Sequence, residues 1–190
     1  MINQALSIRD AIVDRRSIKL FNGQPVAKEA LMEMINDAVY APNHGNREPW
    51  RLVVGVEDSF AKVLELLRDT TIPKWQELSE EELNKQMAKF SLAGAVAFVI
   101  VKEDRRQKER LEDFAAASCL IQNLQLLAWE RSIGTCWKTP PFIEAPAFNA
   151  ALGIQPGERI IGMLQFGYFD EAPKAKARKS AETIVTIFGE

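Results

Sequence analysis

Residues 95–102 read Ala-Val-Ala-Phe-Val-Ile-Val-Lys, seven apolar residues in succession before the first charge. A strand with one face to water alternates polar and apolar residues. An unbroken run of this length suits a central strand covered on both faces. Such a strand needs helices above and below it, and the flanking sequence offers them. Residues 110–131 form the longest helical segment, nearly apolar around much of its circumference from Ala115 onward, as suits a helix buried in a core or a subunit interface. Residues 27–40 place Leu31, Met34, Ile35, Ala38 and Val39 on one helical stripe, ended by Pro42 and Gly45. Residues 60–68 repeat the pattern with Val63, Leu64 and Leu67. Residues 142–152 read as one more helix, stopped by Gly153.

Two further strands are expected, at residues 51–56 and 159–168. Ser7-x-x-Asp10 resembles a capping box for a short first helix reaching about Arg15. The chain then leaves helix through residue 21 and turns at Asn22-Gly23. Residues 70–90 are polar, with Pro73, Trp75 and a Ser79-x-x-Glu82 cap. They read as a surface excursion, either a cover over a site or a peripheral helix. The tail ends in Ile184-Val185-Thr186-Ile187-Phe188, a strand pattern with no local partner. Helices and strands mix without regular βαβ alternation, so the fold class is α+β, and residues 1–190 suit a single domain. Neither Gly-x-Gly-x-x-Gly nor Gly-x-x-x-x-Gly-Lys-Ser/Thr occurs, which removes the usual dinucleotide and P-loop fingerprints.

A formal net charge of −2 gives no reason to expect nucleic-acid binding. One histidine, His44, and two isolated cysteines, Cys119 and Cys136, leave little for a metal site and read as reduced thiols. The N-terminus carries charges where a signal peptide needs an apolar stretch. The longest uncharged run, residues 115–129, is shorter than a membrane span. A soluble, cytoplasmic protein is expected.

Four segments could carry chemistry. Arg15-Arg16-Ser17-Ile18-Lys19 concentrates three cations and a hydroxyl where helix gives way to extended chain, so that Arg15, Ser17 and Lys19 can share a face. Arginine supplies a planar fork and lysine a point charge for phosphate or for a ring's carbonyl and imide edge. The loop from Ala41 to Arg51 offers Asn43, His44 and Asn46, constrained by Pro42 and Pro49. Gly134-Thr135-Cys136-Trp137-Lys138-Thr139 follows the long helix as a helix-to-loop exit, where glycine lets the backbone approach a flat ligand. Lys174, Lys176, Arg178 and Lys179 make a basic tail that could reach a phosphate.

Taken in order, these segments resemble the nitroreductase family. The marks are Arg-Arg-Ser after a short helix, Ala-Pro-x-His-x-x-x-x-Pro-Trp before the first strand and Gly-Thr-x-Trp-x-Thr after the long helix. Phe166-Gly167-Tyr168 then closes a strand before a basic tail. The likeness spans nearly the whole chain and is nearest to the family's short branch. It implies a three-layer fold around a small, mostly antiparallel sheet, and a homodimer in which each C-terminal strand is exchanged. It also implies FMN held at the dimer interface, with NADH or NADPH as electron donor.

By position, the resemblance assigns Arg15, Arg16, Ser17 and Lys19 to the first FMN-binding segment. It assigns His44, with neighbouring Asn46, to a contact from the second chain, and Trp137, Lys138 and Thr139 to a later FMN-binding turn. Arg178 matches a tail arginine at the phosphate. Tyr40 stands where some members carry a basic contact. The chemistry is then borne by the flavin, which takes hydride at N5 and reduces a nitroaromatic or quinone acceptor. No catalytic side chain and no metal is required. A reductive dehalogenase or flavin-fragmenting relative, a non-catalytic flavin-binding module and a ligand-free structural homodimer are the alternatives.

Overall fold

The structure is a computed structural model, and it describes residues 6–189. The reading of the N-terminus as no signal peptide begins in residues 1–5, outside the described residues. Helix α1 (Ile8–Asp14) starts at Ser7, whose side chain accepts from the Asp10 amide at 3.1 Å. Helix α2 spans Lys28–Ala38 and buries Leu31, Met34 and Ala38, the stripe expected from sequence. Strand β1 (Trp50–Val56) and helix α3 (Asp58–Thr71) follow. Helix α4 (Glu80–Ser91) opens on a complete Ser79/Glu82 capping box. Strand β2 is Ala95–Lys102, and helix α5 is Gln107–Glu130. Strand β3 (Gly134–Lys138), helix α6 (Pro146–Ala151) and strand β4 (Glu158–Gly167) complete the set.

The strands form one sheet in the order β1-β2-β4-β3, every ladder antiparallel. The seven apolar residues of β2 are all buried, because β2 lies inside the sheet with side chains alternating into two cores. Ala95, Ala97 and Val99 join Leu164 and Phe166 against residues of α2 and α5. Val96, Phe98 and Ile100 join Met163 against residues of α3, α4 and α6. The result is the three-layer α+β arrangement expected from sequence.

Three expectations are corrected. Residues 134–138 are an edge strand, not a helix-to-loop exit. Five residues directly after a long helix are too few to show a strand pattern, and their pairing with β4 decides. Residues 142–152 are not one helix. A 3₁₀ turn (Pro141–Glu144) and α6 are separated at Ala145, whose extended backbone precedes Pro146 as proline requires. Residues 70–90 are more than a surface excursion, since α4 sinks Met87 and Phe90 into the second core. Residues 184–188, read as a strand pattern without a local partner, find no ladder among the described residues of the chain. Ala181–Thr183 make a 3₁₀ turn, and Ile184, Val185, Ile187 and Phe188 stand exposed, for a strand needs a ladder and none is offered here.

Candidate functional site

The site is built where the chain after α1 runs onto the free edge of the sheet. Ser17 bridges Thr135 of β3 in parallel register, and the Ile18 amide donates to the Thr135 carbonyl at 2.9 Å. This pairing sets the alternation predicted from sequence: Ile18 is buried while Ser17 and Lys19 face out. Close packing fixes the crossing. A Cβ on Gly134 would stand 2.6 Å from Ile18 Cγ1 and 2.7 Å from Phe169 Cδ1, so only glycine fits. Thr135 is buried and receives the Gln125 side-chain amide of α5 at 3.4 Å.

Beyond this crossing β3 presents Trp137, one-third exposed, and half-buried Lys138. The indole lies across β4 at Gly162. A Cβ there would meet Trp137 Nε1 at 2.1 Å, so the missing side chain is the seat of the ring. Lys138 donates to the Gln165 side-chain oxygen. Burial holds its ammonium below the usual lysine range, with Lys19 and Lys89 pushing the same way. Burial likewise pushes the Cys136 thiol up. Thr139 follows, exposed, at the end of the strand.

Arg15 is the most telling side chain. Its Nε and Nη1 are buried with no hydrogen-bond partner among the described residues. Burial lowers its affinity for a proton, and the neighbouring charges of Arg16 and Arg178 lower it further. Two guanidinium nitrogens left unpaired beside two more arginines are a cradle for an anion, since an unmet buried donor costs about 1–3 kcal/mol. Arg178 thus comes from the tail into range of Arg15, as the sequence suggested. Arg16 also ties back to its own segment. Its Nη1 donates to the carbonyls of Val13 at 2.8 Å and Arg15 at 3.0 Å, closing the end of α1.

His44 and Asn46 are not brought to this cluster within one chain. Both are exposed in a 3₁₀ turn between α2 and β1. Their loop holds Gly45, Asn46 and Glu48 at positive φ. It is clamped to α5 by Arg47, whose Nε donates to Asp113 at 2.9 Å and whose Nη2 donates to Glu112 at 3.0 Å. That bond from Arg47 holds the Glu112 carboxyl below its usual range. Sequence reasoning missed this clamp, and it missed Lys89 and Gln165. The available signal was Gln165, a single polar residue in the buried run of β4, whereas Asp113 is masked by the charged run at the start of α5.

The fold and the family agree. The model of the Nitroreductase family matches residues 12–168. The chain belongs to the nitroreductase family. Among curated nitroreductase relatives, YfhC of Bacillus subtilis (strain 168), named provisionally as an NAD(P)H nitroreductase, is 38% identical over 178 residues, covering 93% of this chain and 92% of the relative. A nitroreductase-like family protein from Bacillus cereus superposes with a TM-score of 0.85 at 35% identity, covering 100% of both chains. A protein of Desulfovibrio desulfuricans named provisionally as a nitroreductase, solved in complex with FMN, shares the fold with a TM-score of 0.73 at 21% identity, covering 94% of this chain and 95% of that one. No helix of the described residues is long and apolar enough to cross a membrane.

Proposed function

We propose that this nitroreductase is a single-domain, FMN-dependent NAD(P)H oxidoreductase that acts as a cytoplasmic homodimer on nitroaromatic or quinone acceptors. The observation that carries the reading is the orphaned Arg15 guanidinium at the β3 edge, within the fold that the Desulfovibrio protein uses to bind FMN. Arg15 and Arg178 would hold the cofactor's phosphate. Ser17 and Lys19 extend the same open face along the chain, and Trp137, Lys138 and Thr139 bound it from β3. Arg16 supports this face by fixing the end of α1. When bound, FMN would supply the two-electron chemistry, hydride from NADH or NADPH reaching the acceptor through N5 in ping-pong order. The residues then have two tasks. They orient a planar ligand, and their fixed positive charge favours the form that carries added negative charge.

Two exposed apolar surfaces support the dimer. Ile8, Ile12 and Val13 on α1 and Leu111 and Phe114 on α5 face outward, and so do the apolar residues of the tail. Burial of these faces by a second copy would give residues 184–188 a partner and would carry the His44–Asn46 turn to the other chain's cofactor. Free Cys119 and Cys136 suit a reducing compartment.

The test begins with the visible spectrum of purified protein, followed by stopped-flow mixing with NADH and with NADPH. Bound flavin that is bleached by one of them and reoxidised by a nitroaromatic or quinone is the expected result. Colourless monomeric protein that ignores added FMN would overturn the reading. Flavin that neither nucleotide reduces would leave a binding module instead.

A further inference from the structure

Strand β4 is buried over eight consecutive residues, and Gln165 alone among them carries a polar side chain. It is 2% exposed. A buried amide costs stability unless both of its ends are satisfied, and here both are. Its Nε2 donates to the Lys89 carbonyl, in the last turn of α4, at 2.8 Å. Its Oε1 accepts from the Lys138 ammonium. The orientation is forced, since a carbonyl only accepts and an ammonium only donates, so a flipped amide would lose both bonds. In register Gln165 stands between Val96 of β2 and Cys136 of β3, facing the layer of α3 and α4. One side chain therefore ties the end of α4 to the end of β3. Lys138 has no carboxylate partner among the described ion pairs, so this amide is its anchor.

We propose that Gln165 is a positioning residue, holding the Lys138 ammonium where its charge stabilises the reduced cofactor and making the seating of α4 part of that placement. The proposal rests on the reading above that Lys138 borders the flavin. A glutamine that served packing alone would change the melting temperature and leave the cofactor's redox preference untouched.

The experiment uses FMN-loaded full-length protein as wild type, Gln165→Leu, Lys138→Met and the double variant. Midpoint potential, affinity for oxidised FMN and melting temperature are measured for each. Lys138→Met is expected to lose about tenfold in preference for reduced over oxidised cofactor, a drop of about 30 mV for two electrons. Gln165→Leu is expected to lose about threefold, or about 14 mV at the same conversion, with oxidised FMN bound within about twofold of wild type. The double variant should fall no further than Lys138→Met, because both changes act through one ammonium.

An unchanged potential in Gln165→Leu beside a lowered one in Lys138→Met overturns the positioning role and leaves the site reading intact. If neither moves the potential of flavin-loaded protein, the place of Lys138 in the site falls as well. Additive drops in the double variant also overturn the proposal. Should Gln165→Leu not fold, Gln165→Glu takes its place. It keeps an acceptor for Lys138 but neutralises the ammonium and loses the bond to Lys89, so the potential should again fall, and an unchanged value overturns the proposal.

Discussion

The two edges of the sheet each carry an arginine, and the two arginines are treated in opposite ways. On the β1 edge Arg51 donates through Nε to Glu158 at 2.7 Å and through Nη2 to the same carboxylate and to the Gly153 carbonyl. Glu158 raises its proton affinity. On the β3 edge Arg15 has two buried nitrogens without partners among the described residues, and burial, then the charges of Arg16 and Arg178, lowers its proton affinity. The β1 edge is closed by its own residues. The β3 edge keeps charge and donors unmet, and a folded chain tolerates that arrangement where a ligand completes it. The same residue type is thus paired on one edge and unpaired on the other, the pattern on which the proposed ligand role of Arg15 rests.

The contrast breaks most visibly in a pair of substitutions. Arg15→Ala should weaken FMN binding by about 10- to 100-fold, since a hydrogen bond to a charged group is worth about 1.5–3 kcal/mol. Arg51→Ala should leave FMN affinity within about twofold. Without flavin the order reverses. Arg15→Ala removes an uncompensated buried charge and should hold or raise the melting temperature, whereas Arg51→Ala should lower it. Fluorescence titration with FMN and thermal melts of the apoproteins measure both halves, and equal flavin losses would erase the distinction between the edges.

A smaller effect sharpens what keeps the β3 edge open. Gly162→Ala puts a methyl where the Trp137 indole lies, so the ring must leave its seat on β4. Forcing one carbon into such a contact costs about 1–3 kcal/mol. The expected signs are a lower melting temperature and a red-shifted Trp137 emission, isolated by comparison with Trp137→Phe. Emission that does not move would mean the indole does not depend on Gly162 for its place.

The sheet and its flanking helices were legible because burial leaves periodic marks. The unbroken run in β2 and the stripe of α2 state which faces are covered. Strand β3 was not legible, since five residues after a 24-residue helix carry too little pattern and their state is fixed by β4. Arg15 and Arg178 could be named from sequence, yet the property that singles Arg15 out, donors without acceptors, exists only once the chain is packed. Arg16, its neighbour and chemical twin, has acceptors for its Nη1 in the carbonyls of Val13 and Arg15. His44 and Asn46 show the limit in another way. Their loop is anchored within the chain by Arg47 to α5, and the exposed turn itself meets nothing in the Arg15 cluster, so the role the resemblance gives it rests on the dimer proposed above. Gln165 was visible as one polar residue in an apolar strand, although its two partners come from segments 27 and 76 residues away.

The smallest effect concerns the closed edge, and its sign follows from protonation. Hydrogen bonds from Arg51 hold the Glu158 carboxyl below its ordinary value of 4.5, aided by the Gln155 amide and opposed by partial burial. A group whose folded value is depressed adds stability above its unfolded value, and that stability is lost as pH falls through the folded one. Glu158→Gln removes the charge but keeps an acceptor. The pair is partly solvent-screened, with the Arg51 side chain 38% exposed, so the expected cost at neutral pH is about 1 kcal/mol or less. That corresponds to roughly 2–4 °C in melting temperature for a chain of this size. The gap between wild type and variant should stay constant from about pH 6 to 8 and shrink once pH drops below about 4.5, as wild type loses the charge that the variant lacks. Flavin binding should not follow this curve, since the β3 edge has no part in the pair. Melts of the apoproteins at stepped pH decide it, and a gap that widens in acid would mean that Glu158 is not held ionised by Arg51.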